Sequence, residues 1–290
     1  MTWLADFVAA ERLPPAFAAT VDQVCIPLAD RIVDAATGPA FMVGLCGPQA
    51  SGKSTLAAVV RRLLQDRGLT VALVSLDDLY LTRAERQVLA HQIHPLLATR
   101  GVPGTHDLAL AEALFDALAR PGEVAVPAFD KAMDDRRPAA DWPRIAAPVD
   151  VILFEGWCVG ARPQAPQALD LPINGLERDQ DPQGRWRAYV NAQLAGPYER
   201  LFARLDLLVL LQAPGFEVVL AWRQEQERKL RQRLIREGGD ASRVMSDEQV
   251  AVFIAHYERL TRHILAEMPG RADVVVRLDT HRRASLAPKE

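Results

Sequence analysis

Apolar residues occur along the chain in short runs separated by longer segments of helical periodicity. Five runs have the length of a strand and are apolar almost throughout: residues 41–46, 69–74, 149–154, 205–211 and 273–278. Such runs are typical of parallel strands whose sheet is covered on both faces. The pattern therefore predicts an α/β fold of three layers, with a mostly parallel five-stranded sheet and helices on both faces.

Between these runs, apolar residues three or four positions apart predict amphipathic helices. The predicted helices cover residues 55–64, 108–120, 186–205, 216–237 and 250–264. Residues 3–37 show the same periodicity with proline interruptions. We expect residues 1–40 to form a helical extension packed on a core domain of residues 41–290. Residues 161–185 are rich in proline and charge and predict a loop, and the tail from His281 is expected to fray.

The junction between the first strand and the helix after it carries a nucleotide-binding motif. Residues 47–54 have the pattern G-x-x-x-x-G-K-S, in which backbone N–H groups and a helix N-terminus surround phosphate oxygens. Lys53 would reach the β- and γ-phosphates, and the Ser54 hydroxyl would ligate Mg²⁺. The flanking strand and helix favour a phosphate loop over a chance match. The residues expected to bind the nucleotide are Gly47, Pro48, Gln49, Ala50, Ser51, Gly52, Lys53, Ser54 and Thr55.

Acidic residues follow two other predicted strands. Asp77 and Asp78 come after the second strand, and Glu155 comes directly after the third. Because ligands bind beyond the carboxyl ends of the strands in an open α/β sheet, these carboxylates are placed for Mg²⁺ or for general-base work. One acid of the pair could instead only cap the following helix, which starts with a capping box at residues 82–85. Which of Asp77 and Asp78 is the base stays open.

Two loops carry candidates for binding a small polar substrate. The first, residues 94–107, contains Arg100, His106 and Asp107 among turn-forming prolines and glycines. The second, residues 130–137, mixes acidic and basic side chains. On charge alone, the second loop is better interpreted as a solvated surface loop.

The predicted helix of residues 216–237 has a basic bias. Between residues 223 and 236 it holds six basic side chains, Arg223, Arg228 and Arg231 among them, against two acidic ones. It is either a solvated helix or part of a lid, around residues 222–245, that closes arginines over the triphosphate. We favour the lid, because arginines that stabilise the transferring phosphoryl group contribute strongly to catalysis.

Composition and charge exclude several other classes of protein. The 290 residues carry a formal net charge of −3, so no global field attracts nucleic acid or an anionic membrane. Three scattered cysteines form neither a disulfide framework nor a zinc motif. We find no signal peptide and no apolar segment of transmembrane length, and we expect a cytoplasmic enzyme. A GTPase is disfavoured because an N-K-x-D stretch is absent.

Longer motifs resemble those of a known group of kinases. Residues 75–80, S-L-D-D-L-Y, resemble the S-x-D-D-F-Y segment of the uridine kinase, phosphoribulokinase and pantothenate kinase group. Residues 100–107, R-G-V-P-G-T-H-D, and residues 155–160, E-G-W-C-V-G, are more specific and resemble the plant and fungal type of D-glycerate 3-kinase. This resemblance runs from about residue 41 to residue 278 and implies a P-loop NTPase fold for the core domain.

The resemblance implies transfer of the γ-phosphate of MgATP to a hydroxyl of D-glycerate, giving 3-phosphoglycerate. It assigns Asp77 as the base toward the acceptor hydroxyl and raises Lys131 and Arg136 from surface charges to substrate ligands. The expected catalytic residues are Lys53, Asp77, Glu155 and Arg223. The expected substrate ligands are Asp78, Tyr80, Arg100, His106, Asp107, Lys131 and Arg136. The expected magnesium ligands are Ser54, Glu155 and Asp78, and Arg228 and Arg231 would bind the nucleotide.

The chain departs from the eukaryotic pattern in one loop. Residues 132–134 are A-M-D, where the eukaryotic sequences have a serine and a glycine-rich insert. Two alternatives therefore stay open: a kinase for another small acceptor, such as a nucleoside, pantothenate or a different sugar acid, and a nucleotide-binding regulatory protein without turnover. The intact Lys53, Asp77 and Glu155 argue against the second alternative. The oligomeric state is not predicted.

Overall fold

The computed structural model describes residues 3–242 and 244–288. Six strands form the sheet at its centre. In spatial order the strands are β10 (Ala284–Leu286), β9 (Val274–Leu278), β8 (Leu207–Gln212), β1 (Phe41–Cys46), β7 (Val151–Gly156) and β2 (Val71–Ser75). The five predicted strands all pair in parallel, and only β10 pairs antiparallel, with β9. The predicted α/β fold class is confirmed, whereas the predicted number of strands is one too low.

The expectation that the chain frays from His281 is wrong. Residues 284–286 form β10, and the Asp279 N–H donates to the Arg283 carbonyl at 3.0 Å to close the turn before it. The Asp279 carboxylate also accepts from the backbone N–H groups of His281 and Arg283 at 2.8 Å. A strand of three residues is too short to show an alternating pattern, so periodicity gives no signal for it.

Helices pack on this sheet and connect its strands. The helices are α1 (Trp3–Ala10), α2 (Phe17–Thr20), α3 (Ile26–Ala35), α4 (Lys53–Asp66), α5 (Arg83–Gln92), α6 (Leu108–Leu118), α7 (Gly175–Gln180), α8 (Arg185–Gln193), α9 (Glu199–Phe202), α10 (Phe216–Arg236) and α11 (Asp247–Glu267). In the part of the chain that the structure describes, no helix is both long and apolar enough to cross a membrane. Residues 161–185 are not all loop, since α7 begins there with Asn174 as its N-cap.

The N-terminal helices share the hydrophobic core of the sheet. Val24 and Leu28 are buried in the same cluster as the residues of β1 and α4. Trp3 lies nearer the surface, where its indole N–H donates to Asp66 at 2.7 Å. The extension therefore packs on the core, while its separation from a kinase domain of residues 41–290 stays a prediction.

Two small antiparallel pairs of strands and a second apolar cluster lie outside the central sheet. One pair joins β3 (Gly122–Ala125) to β6 (Arg144–Ala147), and between them in the chain β4 (Phe129–Asp130) and β5 (Asp135–Arg136) form a hairpin. The second cluster consists of Leu96, Leu97, Val102, Leu176 and Trp186. It fixes the loop that contains residues 99–107 beside the sheet.

Candidate active site

The phosphate loop, residues 47–54, connects β1 to α4. Gly52 has φ 88°, a left-handed conformation that lets the chain turn into the N-terminus of α4. Gly47 is closely packed: a Cβ there would lie 3.0 Å from the Cβ of Leu211 and 3.1 Å from the Ser51 hydroxyl. The first turn of α4 therefore directs backbone N–H groups and partial positive charge at the loop, as phosphate binding requires.

Glu155 lies within β7, in the register that places it between Leu45 of β1 and Ser75 of β2. Its Oε1 accepts from the Ser54 hydroxyl at 2.8 Å and from the Ser75 hydroxyl at 3.1 Å. Its Oε2 lies 3.8 Å from Lys53 Nζ, is buried, and has no hydrogen-bond partner among the described residues. The strand register thus brings a carboxylate into the phosphate loop from a position 101 residues away.

This arrangement fits a hydrated magnesium ion. Mg²⁺ prefers oxygen ligands and keeps several waters, so one carboxylate and one hydroxyl beside substrate phosphates are a typical protein contribution. The unpartnered Oε2 of Glu155 and the adjacent Ser54 hydroxyl supply these oxygens. The described residues contain no cluster of three His, Cys, Asp or Glu side chains that could hold a metal ion without such phosphates.

Asp77 lies in the short 3₁₀ turn Leu76–Leu79 that follows β2. Its Oδ1 accepts from the Tyr80 hydroxyl at 2.8 Å, and its Oδ2 lies 2.6 Å from Lys131 Nζ. Burial alone would raise the pKa of Asp77, but the charges of Lys131 and Lys53 and these two hydrogen bonds outweigh it and hold the pKa well below its usual range. Asp77 is therefore ionised and accepts hydrogen bonds beside the phosphate loop.

Asp78 has a different environment from its neighbour. Its Oδ1 accepts from the Phe129 N–H at 3.0 Å and so anchors the first strand of the β4–β5 hairpin. Burial raises the pKa of Asp78, and the nearby charges of Asp77 and Glu155 add to the rise. Neither acid caps a helix, because the N-cap of α5 is Thr82 in a capping box with Glu85. The structure therefore removes the capping interpretation and gives the two acids distinct partners.

The loop of residues 99–107 is held by buried aromatic side chains. Gly101 has φ 134°, and a Cβ there would lie 2.0 Å from the Tyr257 hydroxyl, so any other residue would be strained and would clash. Tyr257 donates to the Arg100 carbonyl at 3.1 Å, and the Trp157 indole donates to the Gly101 carbonyl at 2.8 Å. Trp157 belongs to the E-G-W-C-V-G motif, so the two specific motifs of the sequence contact each other.

His106 is buried and neutral. Burial lowers the pKa of His106 to about 3, even though Asp77 nearby favours the charged form. The Tyr198 hydroxyl accepts from the Gly104 N–H at 2.9 Å and lies 2.6 Å from His106 Nδ1. We assign the Tyr198 hydroxyl as the donor to Nδ1, because this arrangement also uses the hydroxyl proton, and the assignment puts the imidazole proton on Nε2. The ring stacks on Tyr80 at 4.6 Å, and its Nε2 has no partner among the described residues.

Three cations surround Asp77 and Tyr80. Arg136 donates to the Tyr80 carbonyl at 2.9 Å and to the Asp107 carboxylate at 3.0 Å, while Asp107 also caps α6. Arg100 pairs with Asp134. The third cation is Lys131, in the loop between β4 and β5. The structure therefore brings the two substrate loops together, including the second loop that charge alone assigned to the surface.

Arg86 also belongs to this region, although sequence analysis missed it. Its side chain is fully buried, and its guanidinium donates to the carbonyls of Ala98 at 2.8 Å and Asp134 at 2.7 Å. Arg86 thus ties α5 to both substrate loops. Its one sequence signal is a basic residue in the middle of an amphipathic helix, which usually indicates a solvated face.

The predicted lid arginines have partners close to α10 in this structure. Arg223 is 2.5 Å from Glu227, Arg228 is 3.0 Å from Asp247, and Arg231 donates to the carbonyls of Val244 and Met245 at 3.0 and 3.2 Å. None of these contacts is with the phosphate loop. A lid that closes them over the nucleotide stays a prediction.

An arginine outside the predicted lid contacts the phosphate loop instead. Arg282, in the turn between β9 and β10, donates to the Ala50 carbonyl at 3.4 Å. It also pairs with Glu225 and lies 5.5 Å above the ring of Trp222, both on α10. The expected fraying of the tail concealed this residue from sequence analysis. Arg282 links α10 to the phosphate loop.

The strand order, the phosphate loop and the carboxylates at the strand ends are those of a P-loop kinase. The chain belongs to the phosphoribulokinase/uridine kinase family, whose model matches residues 42–187. The resemblance found in the sequence is therefore confirmed at the level of the family. Membership makes the chain a phosphotransferase that uses ATP and acts on a small molecule.

Individual relatives support a narrower similarity. The chain is 36% identical to an uncharacterized kinase, mug58, of Schizosaccharomyces pombe, over 76% of this chain and 79% of the relative. It is 30% identical to the chloroplastic D-glycerate 3-kinase of Arabidopsis thaliana, over 94% of this chain but only 60% of that longer protein. Among solved structures, the D-glycerate 3-kinase of Cryptococcus neoformans var. grubii has a TM-score of 0.69 at 25% identity and covers 91% of this chain and 96% of its own.

Proposed function

We propose that the protein transfers the γ-phosphate of MgATP to a hydroxyl of D-glycerate and forms 3-phosphoglycerate. The observation that carries this proposal is the position of Asp77. This ionised carboxylate contacts Lys131 and lies within the electrostatic reach of Lys53. A base placed between a phosphate-loop lysine and a group of cations suits a small acceptor that carries both a hydroxyl and an acid group.

The nucleotide half of the proposal uses the phosphate loop. Lys53 and the N-terminus of α4 hold the β- and γ-phosphates. Ser54 and Glu155 would hold Mg²⁺ and its waters, and the bound ion would supply charge neutralisation for the transferring phosphoryl group. Arg282 approaches the same loop from the C-terminal turn.

The acceptor half of the proposal uses the two substrate loops. Asp77 accepts the proton of the acceptor hydroxyl as its oxygen bonds to the γ-phosphorus, and the bond from that phosphorus to the β–γ bridging oxygen breaks to release ADP. Arg100, Lys131 and Arg136 supply positive charge for the acceptor carboxylate. His106 adds an Nε2–H donor whose position Tyr198 and Tyr80 fix.

The shortened second loop keeps a different sugar acid as the second candidate acceptor. Met133 lies in that loop, two positions after Lys131, and is 66% exposed. A longer hydroxy acid would be recognised by the same charges. Nucleosides and pantothenate remain alternatives with less support, because the group of cations favours a compact anion.

A coupled assay of ADP release tests these acceptors directly. The panel contains D-glycerate, L-glycerate, longer sugar acids, pantothenate, uridine and a sample with no acceptor. We expect turnover with D-glycerate, and product analysis should give the 3-phosphate rather than the 2-phosphate. Turnover with another acceptor alone would refute the proposed substrate but keep the kinase. Binding of ATP with no turnover on any acceptor would favour the regulatory alternative.

A further inference from the structure

Lys131 forms an ion pair with the Asp77 carboxylate, which the proposed reaction needs as its base. Oδ1 of Asp77 is bound by Tyr80 at 2.8 Å, and Oδ2 is bound by Lys131 at 2.6 Å. Tyr80 is buried and keeps its proton, because burial raises the pKa of its hydroxyl well above the usual value. Oδ2 is therefore the oxygen that can be freed for an acceptor hydroxyl, and an ammonium group now holds it.

Lys131 is the cation in this group that is free to change partners. The Arg136 guanidinium is shared between the Asp107 carboxylate and the Tyr80 carbonyl and is largely buried. Arg100 pairs with Asp134, which Arg86 also binds. Lys131 is 60% exposed at its side chain, against 24% for Arg100 and 15% for Arg136.

The backbone around Lys131 is held in place while its side chain is not. The Asp130 carboxylate accepts from the Ala132 and Met133 N–H groups at 2.9 and 3.0 Å. Arg86 donates to the Asp134 carbonyl at 2.7 Å at the other end of the loop. A change of partner therefore needs only rotation of the lysine side chain about its own bonds. The ammonium end of the pair is open to solvent, since the Lys131 side chain is 60% exposed, so a carboxylate of the acceptor can reach it and compete with Asp77.

We propose that Lys131 senses the acid group of the acceptor, holding Asp77 in an ion pair until that group arrives and then binding the acceptor carboxylate instead. This inference rests on the proposed function. Once Lys131 has moved, Oδ2 accepts the proton of the acceptor hydroxyl, the acceptor oxygen bonds to the γ-phosphorus, and ADP leaves with the bridging oxygen. Asp77 then loses the proton to solvent, and the ion pair forms again.

The exchange has two consequences for specificity. An alcohol without an acid group, such as glycerol, does not attract Lys131 and leaves the base occupied. Water at the acceptor position is not activated either, so MgATP is protected from hydrolysis while no acceptor is bound. Lys131 is then a specificity-determining residue as well as a ligand.

The test is the Lys131→Met variant, assayed for hydrolysis of MgATP without any acceptor. We expect the variant to hydrolyse MgATP at least about tenfold faster than the wild type, because a freed general base contributes 10²–10⁴-fold in favourable geometry. We also expect the ratio of kcat/KM for D-glycerate to kcat/KM for glycerol to fall about 10- to 100-fold, the loss that one charge-assisted hydrogen bond produces. Lys131→Arg should keep more of this ratio than Lys131→Met.

Two further variants separate the exchange from simpler roles. Asp77→Asn combined with Lys131→Met should abolish the extra hydrolysis; if the extra hydrolysis persists, Asp77 is not the group released. Arg144→Met is the matched control, because Arg144 is 58% exposed and pairs at 3.0 Å with Glu123 on the neighbouring strand of the β3–β6 pair. This variant should change neither the acceptor-free hydrolysis of MgATP nor the ratio of kcat/KM for D-glycerate to kcat/KM for glycerol.

The outcomes also distinguish this inference from the proposed function. Slower turnover of D-glycerate in Lys131→Met with acceptor-free hydrolysis at the wild-type level would make Lys131 a ligand only and overturn the exchange. Faster hydrolysis in Lys131→Met, together with no turnover of D-glycerate by the wild type, would refute the proposed substrate. It would still support the inference that the ion pair keeps Asp77 from activating water. Thermal unfolding of each variant shows whether the fold is intact.

Discussion

The Ser54 hydroxyl donates to Glu155 Oε1 at 2.8 Å and so joins the phosphate loop to the neighbouring strand β7. The second oxygen of that carboxylate is buried and lies 3.8 Å from Lys53 Nζ. The Glu155 carboxylate therefore lies against both Ser54 and Lys53, and all three are residues that the sequence assigns to the site. These contacts also explain why a glutamate is placed within a buried strand, where an unpaired charge would be costly.

Replacing this carboxylate by an amide should impair the use of magnesium. In Glu155→Gln we expect turnover to fall about 10- to 100-fold and the Mg²⁺ dependence to move to higher concentrations, as when a group that orients metal ligands is removed. Titration of initial rates with MgCl₂ at saturating ATP measures both effects. Glu123→Gln removes an exposed carboxylate and serves as the control. An unchanged Mg²⁺ dependence in Glu155→Gln would refute the assignment.

The two adjacent acids should differ in their effect on catalysis. Asp77→Asn should lower kcat by roughly 10²–10⁴-fold, the range for a lost general base, while binding of ATP stays close to that of the wild type. Asp78→Asn keeps an oxygen to accept from the Phe129 N–H, so its effect should be smaller. Steady-state kinetics and equilibrium binding of a fluorescent ATP analogue measure the two effects. If Asp78→Asn has the larger effect on kcat, the roles of the pair are reversed.

The buried His106 should make folding sensitive to acid. Its pKa is about 3 in the folded chain because of burial, whereas an ordinary histidine has a pKa of about 6.5. The unfolded chain therefore binds a proton that the folded chain does not, and the stability present above pH 6.5 is lost as the pH falls. From pH 7.5 to pH 5.5 this one group should cost about 1.4 kcal/mol of unfolding free energy.

Urea unfolding at the two pH values tests this expectation against a variant that cannot titrate. His106→Asn retains an acceptor near the position of Nδ1 for the Tyr198 hydroxyl. Its loss of stability between pH 7.5 and pH 5.5 should be smaller than that of the wild type by about the same amount. Equal losses would mean that His106 is accessible to protons in the folded chain. Burial also lowers the pKa of His256, but both proteins contain this residue, so its contribution cancels in the comparison.

Sequence patterns predict the parts of this molecule that depend on local burial. The apolar runs identify β1, β2, β7, β8 and β9, because a strand covered on both faces must be apolar. The motif at residues 47–54 and the acids after the strands follow from the same sheet geometry. These signals need no knowledge of which distant residues meet.

The missed features depend on contacts between distant segments. Arg86 looks like a surface residue in its helix, yet it is buried because the Ala98 and Asp134 carbonyls converge on it. Arg282 contacts Ala50 across 232 positions, through a turn that β10 stabilises. The donor state of His106 depends on Tyr198, which lies 92 positions away. The hydrophobic periodicity of the chain does not predict such contacts between distant residues.

Arg86 should prove as important for acceptor binding as the residues that sequence motifs indicate. In Arg86→Met, the partly buried carbonyls of Ala98 and Asp134 lose their donors, and an unsatisfied group costs up to about 1–3 kcal/mol when it is buried. We expect the unfolding free energy to fall by about 2–5 kcal/mol. The KM for the acceptor should rise more than the KM for ATP, because Arg86 supports the substrate loops and not the phosphate loop.

Arg83→Met is the matched control, since Arg83 lies on the exposed face of the same helix and its replacement should change neither the unfolding free energy nor the two KM values. Urea unfolding and two-substrate kinetics on both variants measure these effects. Equal rises in the two KM values would place the role of Arg86 in general stability rather than in the acceptor site.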